Sequence, residues 1–197
     1  LIGLPGIGKS RILSEFIARH PDLKSLIWQA SAFSGNQPLH VVPPDIIGLA
    51  VRNGDNPEAQ RQAVFDAIAR HLSEQTNSGP VILAIEDSQW LDATTGDLLA
   101  DLRRKLARKP ILLIIAGRPG ILADRLADRI GGERADITTL GAGDARAIVM
   151  AMTGGALPEQ VCTDIVNRAG GVPLFIEELA RGGPANAPDE IPTSQRD

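Results

Sequence analysis

The octapeptide Gly3-Leu4-Pro5-Gly6-Ile7-Gly8-Lys9-Ser10 fills every fixed position of the pattern G-x-x-x-x-G-K-[ST]. Each fixed residue has a chemical reason to be there. Glycine has no Cβ, so the backbone can turn its N–H groups inward and approach oxyanions closely, and a following helix N-terminus adds partial positive charge. A lysine at the end of such a loop brings a point charge to the β- and γ-phosphates of a nucleotide, and the next hydroxyl is a ligand for Mg²⁺. Lys9 and Ser10 stand at those two positions.

A second chemical group follows in Val81-Ile82-Leu83-Ala84-Ile85-Glu86-Asp87, an apolar run that closes on two adjacent carboxylates in the manner of a Walker B element. One acid can serve the metal while the other orients or deprotonates an attacking water. Taken alone, the run also fits a buried strand ending in a solvated acid, and the glycine-rich loop is what favours chemistry. Downstream, Trp90 reads as a packing residue and Asp92 as the N-cap of the next helix. The acids stand in the order Glu86 then Asp87, the longer side chain first, and the order leaves open which serves the metal and which the water.

Such groups need strand ends to hold them. Short apolar runs at Leu1-Ile2, Leu23–Ala32, Val81–Ile85, Ile111–Ala116 and Ile137–Leu140 read as strands. Helical spacing occupies Lys9–Arg19, Pro57–Glu74 and Thr94–Arg108, the last with Leu98, Leu99, Leu102 and Leu106 on one face. Alternation of strand and helix implies a parallel sheet with helices on its faces. Ser34–Pro44 reads as a loop. Beyond Leu140 the pattern is helical, near Ala145–Met152, Glu159–Ala169 and Leu174–Ala180, and the run from Gly182 reads as a linker. The expected architecture is α/β, a P-loop NTPase core over residues 1–140, a small helical lid over 141–181 and a linker over 182–197 toward a missing downstream domain. Because no Met opens the chain and only Leu1-Ile2 precede the loop, the first strand is expected to be truncated and the sequence a fragment.

With 197 residues, 43% hydrophobic and 22% charged, the chain lies far from disordered compositions. Its longest apolar run is much shorter than the roughly 20 residues of a membrane-spanning helix. A single cysteine, Cys162, excludes an internal disulfide and fits a reducing compartment, so a cytoplasmic location is expected. The net charge of −4 argues against a chain that coats nucleic acid. The basic cluster Arg103, Arg104, Lys105, Arg108 and Lys109 falls at a helix C-terminus, where cations complement the dipole and face water. His20, His40 and His71 show no metal-ligand spacing.

Glu86-Asp87-Ser88-Gln89-Trp90-Leu91-Asp92 resembles the E-D-x-x-W-x-D element of AAA-like ATPase domains in bacterial LuxR-type transcriptional activators and in proteins with class III adenylate/guanylate cyclase domains. These belong to the signal-transduction ATPases with numerous domains (STAND). Gly170-Gly171-Val172-Pro173-Leu174-Phe175-Ile176-Glu177-Glu178-Leu179 is similar to the group's G-x-P segment, and Ile191–Asp197 to the start of its exit segment.

The resemblance implies a switch gated by ATP or ADP, and with the loop and the order of the two acids the expectation is an Mg²⁺-dependent, slowly hydrolysing module of a larger protein. Its implied nucleotide-binding residues are Gly3, Pro5, Gly6, Ile7, Gly8, Lys9, Ser10, Arg11 and Pro173, the last against adenine. Glu86, Asp87 and Arg118 are the catalytic candidates, Arg118 as a γ-phosphate sensor, and Ser10 and Glu86 the metal candidates. Plainer accounts stand beside two of these: Gly170-Gly171 as a helix C-cap with Pro173 in a first turn, and Arg118 as an exposed turn residue before Pro119. The expected partners are nucleotide and the missing domains of the same polypeptide, with nucleotide-dependent self-association and no direct contact with nucleic acid or membrane. A ring-forming remodelling ATPase with a trans arginine finger is the alternative.

Overall fold

The structure, a computed structural model, describes residues 1–34, 37–48 and 56–182. Gly35 and Asn36 of the expected loop, the linker from 183 and Ile191–Asp197 lie outside the described residues.

Three parallel strands, β1 (Lys24–Gln29), β2 (Val81–Glu86) and β3 (Ile111–Ile115), form a sheet in the order β1-β2-β3. β2 is central, and Val81 to Ile85 are buried on both faces, which is why that run lacks the alternation of a half-exposed strand. In register, Gln29 lies opposite Glu86, and Ile85 opposite Ile115, so the carboxyl ends of the strands finish together.

The ladder continues past β3 through Leu1 and Ile2. The Leu1 ammonium donates to the Ile115 carbonyl at 2.7 Å, Gly117 N–H donates to Leu1 at 3.0 Å, and Ile2 N–H donates to Ala135 at 2.9 Å. Ile2 and Gly117 form a parallel bridge. Ile137–Leu140, expected as a strand, is not one. The chain meets Ile2 at Ala135 instead, and Leu140 spends its N–H on the Gly171 carbonyl at 2.8 Å.

Contacts divide the described chain into two units. The first holds Leu1–Ile2 and Ser10–Ala135. Its helices are α1 (Lys9–Ala18, from Ser10 on), α2 (Pro44–Gly48), α3 (Pro57–Gln75), α4 (Ala93–Lys105) and α5 (Ile121–Ile130). Trp28, Leu83 and Ile85 meet Phe65, Ile68 and Leu72 of α3 and Leu98, Leu99 and Leu102 of α4 in its core. Asp92 caps α4 as expected, accepting the Thr95 N–H at 2.9 Å. The helices α2 and α5 are additions to the sequence expectation; α5 turns Leu126 and Ile130, four residues apart, toward the core.

The second unit holds Gly3–Lys9 and the described residues from Asp136 onward. Its helices α6 (Ala142–Thr153), α7 (Glu159–Ala169) and α8 (Pro173–Gly182) bury Ala145, Val149, Cys162, Ile165 and Ile176 against one another.

Three members of the basic cluster have acceptors within the first unit. Lys105 pairs with Asp66 and, at 2.6 Å, with Asp101; Arg104 pairs with Asp101 at 2.5 Å; Arg103 donates to the Ile130 carbonyl at 3.0 Å. Burial works against the charged form of Asp101, but the hydrogen bonds from Lys105 and Arg104 outweigh it and hold the carboxyl below the usual carboxylate range. Trp90, expected to pack, is 41% exposed in a short 3-10 turn, Ser88–Trp90. No helix among the described residues is long and apolar enough to cross a membrane.

Candidate functional site

The glycine-rich loop of the second unit is built around left-handed backbone that only glycine enters without strain. Gly6 has φ 72° and Gly8 φ 97°. This shape wraps the loop around its own lysine, whose ammonium donates to the carbonyls of Gly3 and Leu4, each at 2.9 Å. Ile7 is buried, Pro5 half-buried, and Gly3 lies so close to Ile137 that a Cβ there would stand 2.9 Å from its carbonyl oxygen.

The same unit brings the loop to the start of α8. Leu174 N–H donates to the Gly6 carbonyl at 3.2 Å, and a Cβ on Gly6 would meet Val172 at 3.3 Å. Pro173, between those two residues, is the first residue of α8, a position where the missing N–H costs nothing. Gly170, at φ 56°, is the C-cap of α7. The structure therefore contains the capping arrangement that explains this spacing without a ligand, and it also sets Val172 and Leu174 against the loop.

In the first unit Ser10, on the opening turn of α1, donates its hydroxyl to Glu86 Oε2. Arg11 beside it is exposed. A hydroxyl and a carboxylate make an oxygen-only pair of the hard type that suits Mg²⁺, an ion that draws its other ligands from water and substrate phosphates. The residues fit that metal, although among the described residues no three His, Cys, Asp or Glu side chains gather in a metal-holding group.

Asp87 leaves β2 in the left-handed region, at φ 55° and ψ 43°, a conformation that aspartate tolerates better than most residues. Asp87 Oδ2 accepts from Gln29 Nε2 at 2.6 Å and Oδ1 from Gln89 Nε2 at 3.1 Å. Gln89 in turn accepts, through Oε1, the backbone N–H of Arg118 at 3.2 Å. Arg118 is exposed at the exit of β3, and its guanidinium has no partner among the described residues. Gly117 makes this closure sterically feasible, since a Cβ there would fall 2.0 Å from Ser88 Oγ.

Sequence reasoning singled out Ser10, Glu86, Asp87 and Arg118 but missed Gln29 and Gln89. The available signal was a glutamine closing the apolar run of β1, and a second glutamine two residues after Asp87.

The sequence model of a family described as the AAA ATPase domain matches residues 1–115. An uncharacterised protein of Rhizobium meliloti (strain 1021) is 31% identical over 154 residues, which cover 75% of this chain and 15% of that protein. The chain thus spans a small part of that relative's length. Among solved structures, the Orc1 protein of Aeropyrum pernix, determined in complex with DNA, matches with a TM-score of 0.63 at 18% identity, over 91% of this chain and 51% of that one. A STAND protein with a tetratricopeptide repeat sensor from Pyrococcus horikoshii matches with a TM-score of 0.52 at 14% identity, over 96% of this chain and 28% of that one. At these identities the likeness concerns the fold: a parallel sheet flanked by helices, as in P-loop NTPases.

Proposed function

Because the chain belongs to the AAA ATPase domain family, we propose that it binds ATP or ADP with Mg²⁺, hydrolyses ATP slowly, and serves as the regulatory switch of a larger signalling or transcription-regulating protein. The observation that carries this reading is the contact between Ser10 and Glu86, which joins the end of the G-x-x-x-x-G-K-[ST] pattern to the acid that closes β2. Two stretches 76 residues apart in sequence supply the two oxygen donors the chemistry calls for.

In this reading the loop of Gly3–Lys9 holds the phosphates, Lys9 supplies their counter-charge, and Arg118 reaches the terminal phosphate. Ser10 and Glu86 hold Mg²⁺, which when bound offsets charge on the phosphates. Asp87 orients the attacking water and accepts its proton. Its side chain is one methylene shorter than glutamate, and both its oxygens accept hydrogen bonds from glutamine amides. A base must come within about 2.6–3.2 Å of the proton it takes, and proton transfer by a well-placed group is worth about 10²–10⁴-fold. A short, restrained acid therefore favours slow turnover, which suits a switch better than a motor.

Calorimetry on the Lys9→Ala chain tests the reading. Loss of a charge-assisted contact worth about 1.5–3 kcal/mol lowers ATP affinity roughly 10- to 100-fold with the fold retained. Unchanged affinity in a folded variant refutes it.

A further inference from the structure

Gln89 lies at a junction that the proposed roles of its neighbours do not use. Its carboxamide touches both the acid after β2 and the segment after β3: Nε2 donates to Asp87 Oδ1 at 3.1 Å, and Oε1 accepts from Arg118 N–H at 3.2 Å. Arg118 N–H can only donate, so it must face the carbonyl oxygen of the amide. That leaves the NH₂ end for Asp87, whose Oδ1 accepts it. Both ends are thereby assigned by the Arg118 N–H, and a 180° flip would break both contacts.

The surrounding backbone holds this side chain close. Ser88 N–H donates to the Ala116 carbonyl at 3.0 Å, and the bare Gly117 leaves room for Ser88 Oγ against the β3 exit. A Cβ at Gly117 would also stand 3.4 Å from Gln89 Oε1. The turn after β2 and the exit of β3 are thus in contact through backbone and side chain together.

We propose that Gln89 is a positioning residue for ATP hydrolysis, fixing the plane of the Asp87 carboxylate and tying it to the Arg118 segment so that acid and cation keep one spacing. The inference rests on the proposed ATPase reading. Gln29 holds only the other oxygen of Asp87, so it constrains the acid without linking it to Arg118. An amide is required at position 89. A carboxylate of the same shape has no N–H to give Asp87 and would set oxygen against oxygen.

The test uses the 197-residue chain with Gln89→Ala and Gln89→Glu, following ATP affinity by calorimetry, kcat and KM by phosphate release, and thermal unfolding. Gln89→Ala is expected to lower kcat at least 10-fold while KM for ATP stays within about 2-fold. Gln89→Glu is expected to lower kcat at least as far as Gln89→Ala, again with KM for ATP within about 2-fold. Variants that keep the wild-type kcat overturn the inference. So do variants whose affinity and melting temperature fall in step with turnover, since that marks a purely structural residue. A wild-type chain that neither binds nor hydrolyses ATP overturns the ATPase reading itself and the inference with it. A wild-type chain that binds ATP without hydrolysing it overturns the inference and leaves the binding reading standing.

Discussion

Leu174 and Gly6 are in backbone contact: the Leu174 N–H donates to the Gly6 carbonyl at 3.2 Å, and a Cβ on Gly6 would stand 2.8 Å from the Leu174 Cβ. Gly6 also holds φ 72°, so Gly6→Ala meets a steric obstacle and an unfavourable backbone region together. The backbone cost alone is about 1–2 kcal/mol. The expected result is a lower melting temperature and at least 10-fold weaker ATP binding, read by calorimetry. A fully stable Gly6→Ala chain with wild-type affinity contradicts the contact.

Glu86 and Asp87 are expected to separate cleanly by substitution. Glu86 meets Ser10, whereas the Asp87 side chain meets the amides of Gln29 and Gln89 among the described residues, so Glu86→Gln should weaken the Mg²⁺ dependence of ATP binding. Asp87→Asn should leave affinity near wild type and lower turnover about 10²-fold. Titrations with and without Mg²⁺, beside phosphate-release rates, check both. The reverse pattern exchanges the two roles.

Gly117 and Ser88 should show a coupled energy. Gly117→Ala brings a Cβ to 2.0 Å from Ser88 Oγ, an overpacking expected to cost about 1–3 kcal/mol. Adding Ser88→Ala removes the offending oxygen, and the double variant should recover part of the loss in urea unfolding. Strict additivity would place the strain elsewhere.

Asp101 predicts a direction for acid sensitivity. Its folded pKa lies below the ordinary value because the Lys105 and Arg104 hydrogen bonds outweigh burial. A depressed folded pKa gives stability that is present above the unfolded value, near 4, and is lost as pH falls through the folded one. Asp101→Asn should therefore cost about 1 kcal/mol at pH 7 and progressively less below pH 4, measured as urea midpoints across that range. A gap between the chains that does not shrink on acidification goes against the pairing.

The sequence made the loop, the acids and the core helices legible for different reasons. Lys9, Ser10 and Glu86 stood out because the proposed chemistry restricts the residue type at each place, and α7 could be placed because its spacing and its glycine cap agree on its limits. Ile137–Leu140 misled because an apolar run of that length carries no record of where its N–H groups go, and Leu140 sends its own to Gly171. Trp90 misled because aromatic character suggests burial, while its place in a one-turn helix leaves it 41% exposed. Gln29 and Gln89 were passed over because their positions, at the end of β1 and two residues after Asp87, gain meaning only with the register. Amides have no reactivity to give them away, and their significance comes from which strand ends the register brings side by side.

The left-handed backbone of Asp87 limits how this position can change over generations. Only glycine, asparagine and aspartate hold φ near 55° without appreciable strain, so most replacements are removed for their effect on folding before any effect on turnover matters. Asparagine, one base change away, passes that filter and lacks the carboxylate. If Asp87 has the role proposed above, a lineage of such domains has a nearly fold-neutral step open to it from hydrolysing nucleotide to merely holding it, and that step runs through this one residue.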